Sequence, residues 1–579
     1  MNLLFDIETD GLIATKIWCI VAYDIDEGIA HTFDPDHIDE AIEFLQKADK
    51  LIGHNIIGFD IPVIKKLTGV DLSTKKITDT LVLSRLFNPT REGSHSLQSW
   101  GYRIGHNKME FKEFSAYSDE MLKYCVNDVM LNFSVYKHLK KESKGFSKES
   151  VDLEHKVMTI LCEQREHGFL LDERYASELV ASLEDKLTDT IKSVRKIFKP
   201  KVEVYTLRAM YNNDGKLSKF ASSRELKKKV RLNDDEYKEI SKKKKIERSI
   251  ETEFNLGSRK QIGEYLKDFG WKPKKFTPTK QPIVDESTLK NIKNIPQAQL
   301  IAEYLMLQKR IAQINSWLKE LKNSRVHGFV NHNGTITGRM THSNPNTAQL
   351  PSIRVPYGKE CRSCWIVPEG YKLVGIDASS LELRMLAHYM NDEEYTNEVL
   401  NGDIHTTNQH LAGLESRDQA KTFIYALCYG AGNKKLSTIL GGNAKNAGEV
   451  RQQFLDNLPS FKSLKDRVGR AATKGFLKGL DGRKLIVRSE HAALNTLLQG
   501  AGSIAMKQAL SLFVYYIRDL DANCVANVHD EWQVEAREDQ AEEVGKRGVQ
   551  AIIDAGAILK LKCPLNGEYN VGRNWAETH

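Results

Sequence analysis

The sequence predicts an α/β multidomain protein. Three features carry that expectation: a length of 579 residues, short apolar runs interleaved with helical periodicity towards both ends, and a polar, lysine-rich interruption between them. At roughly 100–200 residues per domain, such a chain forms about three to five folded units. Its 41% hydrophobic and 28% charged residues belong to a soluble globular protein rather than a disordered or fibrous one.

Leu3–Ile7 and Trp18–Tyr23 read as adjacent strands with a Gly-containing turn between them, and Leu51–Gly53 as another. Ile38–Lys47 and the longer Met121–Leu139 repeat apolar residues at helical spacing. Lys140–Ser150 is polar, with Gly145 and three serines, and reads as the first linker. From Val151 to about Phe198 the pattern is helical, broken at His167-Gly168. Lys199–Ile250 differs: it has polar turn residues at Asn212–Gly215 and lysine runs at Lys227–Lys229 and Lys242–Lys245. It is expected to be an insertion or flexible subdomain; the plainer alternative is a solvated, charged helix pair. Helical periodicity resumes after Ser258, Leu300–Leu321 reads as a long helix, and strand-like segments then alternate with helices to the end.

Charge follows the same divisions. The chain holds 84 Lys and Arg against 77 Asp and Glu, a net +7. Lys199–Ile250 holds 16 basic and 8 acidic residues, and residues 1–145 hold 17 and 22. An acidic front, a basic segment and a balanced remainder exclude a uniformly basic coat for nucleic acid. No run approaches the ~18 apolar residues that span a bilayer. The N-terminus meets acids at Asp6, Glu8 and Asp10, unlike a signal peptide. Eight cysteines in so long a chain suggest a reducing cytoplasm rather than a disulfide scaffold. Cys361-Arg-Ser-Cys364 lacks a second pair for zinc, so both are expected to be ordinary thiols.

Two constellations carry chemistry. In the first, Asp6 and Glu8 stand at i, i+2 on a predicted strand, so both carboxylates point one way. Asp60 ends the strand-loop segment from His54, and Tyr124 and Asp128 are one helical turn apart. Four carboxylates can hold two Mg²⁺ ions, and two metals can activate water against a phosphodiester. Tyr124 could orient that water. Taken singly, each acid could equally be an exposed surface charge. The ordered set resembles the DEDD-type 3′–5′ exonucleases, in their tyrosine variant.

In the second, the apolar run Leu373–Asp377 ends in an acid before a helix at Leu381–Met390. About 150 residues on, Val525–Val534 reads as strand, polar turn and strand, with Asp530 and Glu531 projecting from the hairpin tip. His529-Asp530 could also be a base and its orienting carboxylate, but no strained nucleophile elbow accompanies it. Between them Arg417, Lys421, Tyr425 and Tyr429 form one helical stripe ending at Gly430. Two cations suit phosphates and two aromatics suit a base or sugar. The alternative is an amphipathic helix whose aromatics are core.

Asp377-Ala-Ser-Ser-Leu-Glu382-Leu-Arg384 resembles motif A of the family A DNA polymerases, Arg417–Gly430 motif B, and Val528-His529-Asp530-Glu531 motif C. Further segments resemble the replicative polymerases of short-tailed phages of the T-seven type. They are Asp79–Leu86, Thr337–Arg339 with Pro345–Gln349, Gly402–His405, Gly479–Lys484, His491–Gln499 and Asn574–His579. The likeness runs in order from Asp6 to His579, and Lys199–Ile250 matches it least.

The resemblance implies an RNase H-like 3′–5′ exonuclease domain over residues 1–145, followed by a right-hand polymerase. Its thumb would span 146–325, with the basic insertion 199–250. The palm would occupy 326–400 and 481–579, and the fingers 401–480. It implies two Mg²⁺ ions in each active site, replaceable by Mn²⁺. Asp377, Asp530 and the Ala378 carbonyl would hold one pair, with Glu531 behind them. Asp6, Glu8, Asp60 and Asp128 would hold the other, beside Tyr124. Arg417, Lys421 and His405 would grip the β- and γ-phosphates, and Tyr425 would pack on the deoxyribose. Glu382 would exclude a 2′-OH, and Tyr429 would stack near the templating base. Arg339 and Gln499 would probe the minor groove, whose acceptors are shared by all correct pairs, and His529 would approach the primer terminus. Ser380 departs from the Gly of the similar phage polymerases, a change that could tune nucleotide selection.

Primer-template DNA and dNTPs are the implied substrates. The insertion is a candidate site for host thioredoxin or another processivity factor, and a phage helicase-primase and single-stranded DNA-binding protein are candidate replisome partners. No membrane is implied, and a phage-encoded enzyme would work in the host cytoplasm. An exonuclease starting at Met1 leaves no room for an N-terminal 5′-nuclease. The competing readings are a single-subunit RNA polymerase, which Glu382 and the attached exonuclease oppose, and a DNA-binding scaffold with degenerate sites, which the complete acid sets oppose.

Overall fold

Alternation near the N-terminus builds a five-stranded sheet. The structure, a computed structural model, describes residues 1–579, the side chain of Glu203 excepted. Strands β1 (Asn2–Thr9), β2 (Ile17–Asp24) and β3 (Ile29–Phe33) precede helix α1 (Ile38–Gln46); β4 (Lys50–Gly53), α2 (Asp60–Thr68) and β5 (Lys76–Asp79) follow. The order is β3-β2-β1-β4-β5, antiparallel among the first three and parallel from β1 to β5. Helices α3 (Thr80–Phe87), α4 (Leu97–Ile104) and α5 (Asp119–Glu142) complete this part.

Residues of β1 alternate between two cores. Leu3, Phe5 and Ile7 pack with Ile42, Leu45 and Ile64. Leu4, on the other face, packs with Met121, Cys125 and Val129 of α5. Asp6 and Glu8 share the parity of Leu4, so the strand period turns both towards α5. Ser118 caps α5 by accepting from Met121 N–H. The helix runs on to Glu142, and α6 (Lys148–His167) starts after five intervening residues under a Ser147 cap. The expected linker Lys140–Ser150 therefore shrinks to Ser143–Ser147, because Lys and Glu are good helix formers at exposed positions. After α6 comes the short strand β6 (Phe169–Leu170).

Arg174–Leu318 forms a compact unit of its own. It begins with α7 (Glu173–Ile197). Lys199–Ile250 is not a helix pair. Strands β7 (Lys201–Tyr211), β8 (Leu217–Ser223) and β9 (Lys228–Arg231), helix α8 (Asp234–Lys243) and strand β10 (Lys245–Thr252) give an antiparallel sheet, ordered β10-β7-β8-β9. Leu207, Ala221, Leu232, Ile240 and Ile246 form its core. Lysine runs concealed the alternation. On the edge strand β9, Lys228 and Lys229 are exposed, where charge discourages pairing with another chain. Helices α9 (Arg259–Asp268), α10 (Glu286–Lys290) and α11 (Pro296–Lys319) then join α7 around Val194, Phe198, Leu266 and Ile301.

The remaining chain shares a compact unit with residues 1–173. Strands β11 (Leu321–Lys322) and β12 (Arg325–Val326) pair with β6, and β13 (Phe329–Asn331) pairs with β14 (Thr341–Ser343). Next come α12 (Gly358–Ser363), β15 (Tyr371–Ala378) and α13 (Leu381–Met390). A helical block follows: α14 (Glu393–Asn401), α15 (Ile404–Ala412), α16 (Arg417–Cys428), α17 (Asn433–Leu440), α18 (Ala444–Asn457) and α19 (Pro459–Ala472). The hairpin of β16 (Phe476–Lys478) and β17 (Lys484–Ile486) leads to α20 (Ala493–Tyr516). Strands β18 (Ala522–Val528) and β19 (Glu531–Arg537), helix α21 (Ala541–Ile558) and strand β20 (Gly567–Gly572) end the fold. Its second main sheet is antiparallel, ordered β18-β19-β15-β20. Among the described residues no helix is long and apolar enough to cross a membrane.

Helix α6 ties the two sheets together. Leu153, Val157 and Leu161 pack with Val330 and Ile504. The fully buried Glu154 accepts from Arg483, Lys507 and His332, each at 2.5 Å. The next residue, His155, accepts from Asp79 N–H at 2.9 Å. Asp79 in turn accepts from Asn55 and Ile57 N–H, shaping the loop before α2. Burial pushes Glu154 up, but Lys507 and Arg483 outweigh it and hold the carboxyl well below its usual range. The stability it lends is present above roughly pH 4.3, the value of an unfolded Glu, and is lost as pH falls from there. Glu154→Ala, leaving the buried Lys507 unpaired and Arg483 with Asp481 alone, should cost about 3–5 kcal/mol. Thermal unfolding at neutral pH measures it; an unchanged transition would contradict the pairing.

Candidate functional site

At the first sheet, Asp6 and Glu8 look from β1 towards α5, which carries Tyr124 and Asp128. Asp60 opens α2, and its Oδ1 accepts from Ile7 N–H at 3.2 Å. Asp6 and Glu8 converge with the Cys125 thiol so that their ligand atoms lie within 4.8 Å of one another. Burial, then repulsion from Asp60, Glu8 and Asp128, pushes Asp6 far above the usual carboxylate range. Burial and Asp128 take Glu8 to about 8, and burial takes Asp60 to about 7.

Sequence reasoning missed Lys108. It lies in the irregular segment between α4 and α5, where no periodicity marks a facing side chain. Its Nζ donates to Asp128 Oδ2 at 2.5 Å and stands 4.8 Å from the Tyr124 ring centre. Burial works against its charge, but Asp128 raises its pKa overall. Burial pushes the Tyr124 hydroxyl up to about 12.

At the second sheet, Asp377 faces Glu531 across β15–β19 and Glu568 across β15–β20. His529 and Asp530 form the turn between β18 and β19, with His529 at φ +58°. That left-handed backbone is uncommon outside glycine, and it gives a two-residue hairpin its twist. Ala378 N–H donates to the Asp530 carbonyl at 3.1 Å, tying the two acid-bearing segments together. Burial, then Asp530, Glu531 and Glu568, pushes Asp377 up to about 7.

Glu531 departs from the expected hairpin tip. It starts β19, is buried, and accepts from Gln533 Nε2 at 2.6 Å, Trp575 Nε1 at 2.7 Å and His579 Nδ1 at 2.9 Å. Burial raises its pKa, but these donors, His579 foremost, hold it below the ordinary value.

Helix α16 buries Ala420, Phe423, Ile424 and Leu427 and leaves Arg417 and Lys421 exposed, with Tyr425 half-buried against the same core. The core-aromatic alternative thus holds for Phe423 and in part for Tyr425. Tyr429 follows the last turn. At Gly430, φ is +72° and a Cβ would stand 2.0 Å from the His491 carbonyl, so a side chain cannot fit. Tyr429 hydroxyl donates to Glu382 Oε2 at 3.2 Å and accepts from Gln499 Nε2 at 2.9 Å. Asp403 caps α15 through His405 N–H and accepts from Arg417 Nε at 2.7 Å.

A cavity of about 300 Å³ brings together Asp377, Ala378, Asp530, Glu382, His405, Lys421, Tyr425, Arg339 and Gln499. His529 lines a smaller adjoining cavity with Arg339, Lys507 and Asp530. Among the described residues, Glu382 Oε1 and His405 Nδ1 are buried without a hydrogen-bond partner. The larger cavity thus combines carboxylates with an ammonium and an imidazole in one lining. This arrangement suits an anionic ligand carrying a cation. Cys361 and Cys364 are buried and outside any disulfide.

Residues 223–577 match the profile of DNA polymerase family A. The chain is 31% identical to the DNA-directed DNA polymerase of Enterobacteria phage T3, with 100% of each chain covered. It is also 31% identical to that of Escherichia phage T7, covering 99% of each. In fold it is similar to the POL domain of Pol1 from M. smegmatis in complex with DNA primer-template and dNTP. The TM-score is 0.78 at 19% identity, covering 100% of this chain and 95% of the other.

Ser380 precedes α13 at φ +51°, and its side chain makes no capping bond. An L-residue held there stores about 1–3 kcal/mol of strain. Ser380→Gly should relieve it, offset by roughly 0.5–1 kcal/mol of glycine entropy, and leave thermal stability equal or higher. Ser380→Val should lower it. A glycine variant that melts earlier than the parent would contradict the strain.

Proposed function

The chain belongs to DNA polymerase family A, and on that premise we propose how its two carboxylate sites divide the work of a phage-type DNA-directed DNA polymerase. The cavity around Asp377 extends a primer on a template from dNTPs. The carboxylates around Asp6 remove mispaired 3′ nucleotides. The observation that carries the reading is the larger cavity itself, whose one lining gathers Asp377 and Asp530 with Lys421, His405, Tyr425 and Glu382.

The donors suit hard divalent cations. Asp377, Asp530 and the Ala378 carbonyl offer oxygen, and the repulsion that raises Asp377 is the kind that a cation relieves. Asp6, Glu8, Asp60 and Asp128 offer a second such set. Two Mg²⁺ ions at each site, or Mn²⁺ in their place, would activate the attacking oxygen and neutralise charge on the phosphates and leaving group.

The chain's own groups do the rest. Arg417 and Lys421 meet the β- and γ-phosphates with charge-assisted bonds, and the unpartnered His405 Nδ1 can be directed at the same oxygens. Tyr425 packs on the deoxyribose. Glu382, fixed by Tyr429, fills the space that a 2′-OH would need. Tyr429 lies near the templating base, Arg339 and Gln499 test the minor groove, and His529 meets the primer end. Glu531 supports Asp377 across the strand pair. At the other site, Tyr124 orients the attacking water. Residues 401–480 act as fingers, 326–400 and 481–579 as palm, and residues 1–145 as the proofreading domain.

The compact unit Arg174–Leu318 acts as thumb. This is a narrower span than 146–325, because α6 packs with α20 and β18 of the other unit. Its basic sheet at 199–250 would receive a processivity factor, host thioredoxin or another. Helicase-primase and a single-stranded DNA-binding protein would be further partners, in the host cytoplasm.

Asp530→Ala should abolish primer extension and leave 3′ degradation intact, whereas Asp6→Ala should do the reverse. Gel assays on one labelled primer-template report both, and equal loss of both activities in either variant would contradict the division. Glu382→Ala should raise ribonucleotide incorporation at least tenfold, which competition between dNTPs and NTPs measures. Preference of the parent enzyme for NTPs would favour the RNA polymerase reading.

A further inference from the structure

We propose that Lys108 is a positioning residue of the 3′–5′ exonuclease site, an ammonium that fastens Asp128 and Tyr124 in their working orientations. The inference rests on the proofreading role proposed above for this carboxylate group.

Asp128 is nearly buried, and its two oxygens differ. Oδ2 accepts from Lys108, while Oδ1 is buried with no hydrogen-bond partner among the described residues. A carboxylate with one oxygen pinned cannot rotate freely, so the other stays available as a ligand atom beside Asp6 and Glu8. An ammonium has three donors and no acceptor. The same Nζ stands 4.8 Å from the centre of the Tyr124 ring, one helical turn from Asp128 on α5. An ammonium over an aromatic face is attracted to the ring, so Lys108 also holds the Tyr124 side chain in place. Both functions assigned to the helix are thereby fixed by one side chain outside it.

The segment that presents Lys108 is fastened on each side of it. Met109 N–H donates to Asn127 Oδ1 at 3.1 Å, and Trp18 Nε1 donates to the Phe114 carbonyl at 2.9 Å. Before it, a Cβ on Gly101 would stand 2.7 Å from the His106 carbonyl, so glycine permits the close approach of the turn to α4. Phe111 and Phe114 pack on Tyr124, with ring centres 5.4 and 6.1 Å away. Lys108 is thus held by a built wall, unlike a surface lysine that reaches an acid by chance. Its charge also opposes the mutual repulsion of Asp6, Glu8 and Asp128.

The test uses full-length Lys108→Ala and Lys108→Arg proteins with a 3′-labelled single-stranded oligodeoxynucleotide. Residues that orient ligands commonly matter ten- to hundredfold. Lys108→Ala should therefore lower exonuclease kcat by about that factor, with KM little changed, and primer extension should stay within about twofold. Lys108→Arg, which keeps charge and donors, should recover most of the loss. Mn²⁺ binding followed by electron paramagnetic resonance in an Asp530→Asn background should weaken about tenfold on Lys108→Ala, because Asp128 is released. Full exonuclease kcat in Lys108→Ala, no recovery by arginine, or tighter Mn²⁺ binding would each overturn the proposal. Tighter binding would mean that Lys108 acts only as a competing charge. Asp6→Ala separates the two levels: if parent and Asp6→Ala proteins degrade 3′ ends alike, the exonuclease reading itself fails.

Discussion

Repulsion between carboxylates held close together is the constraint on which this structure turns. Asp6, Glu8, Asp60 and Asp128 crowd one side of the first sheet; Asp377 and Asp530, with Glu531 and Glu568, crowd the end of the second. Acids left to themselves seek water and separation. Here the backbone forbids both. Strand alternation drives Asp6 and Glu8 against α5, and a two-residue turn with His529 at positive φ aims Asp530 at Asp377. Each crowd draws on local support of a different kind. At the first it is the ammonium of Lys108. At the second, Trp575, Gln533 and His579 absorb the charge of Glu531.

The supports are themselves tied together through α6. Glu154 faces the cations Arg483 and Lys507 near the second site, and His155 faces Asp79 and the loop that delivers Asp60 to the first. Ser503 Oγ, on α20 four residues before Lys507, donates to the Gly338 carbonyl at 2.7 Å, immediately before Arg339. One helix thereby helps to hold the loop that feeds each carboxylate group. Its inward face sets Ser150, Glu154, His155 and Gln164 among Leu153, Val157, Met158, Ile160 and Leu161, so the ionic cluster adds register to apolar packing. A buried ion pair seldom gains much stability over a hydrophobic substitute, and fixing position is the better account of this one.

Legibility in the sequence followed periodicity. Asp6-x-Glu8, Tyr124 with Asp128, and the four-residue stripe from Arg417 are patterns of strand or helix, and each lies on the face that its spacing implies. The acid ending Leu373–Asp377 was readable for the same reason. What escaped lies outside regular elements or depends on pairing across distance. Lys108 sits in a loop, and Glu568 meets Asp377 only through the β15–β20 register. The occupied state of Glu531 depends on Trp575 and His579, more than 40 positions away in the chain. At 199–250 the alternation of Tyr205, Leu207 and Ala209 was present, but clustered lysines looked like a charged helix. Local charge described the exposed edges there, while the few buried residues decided the fold.

If crowded carboxylates are the central strain, divalent cations should relieve it measurably. The direct test is thermal unfolding of the full-length protein in EDTA and across a Mn²⁺ titration, repeated for Asp6→Ala and for Asp377→Ala. The account predicts that saturating Mn²⁺ raises the transition of the parent, with a gain of about 2.7 kcal/mol per site at a hundredfold excess over Kd. Each variant should lose part of that gain while melting no earlier than the parent in EDTA, because removing one acid also removes its repulsion. A transition that ignores Mn²⁺, or variants that melt well below the parent in EDTA, would contradict the claim that these acids oppose the fold until a cation is bound.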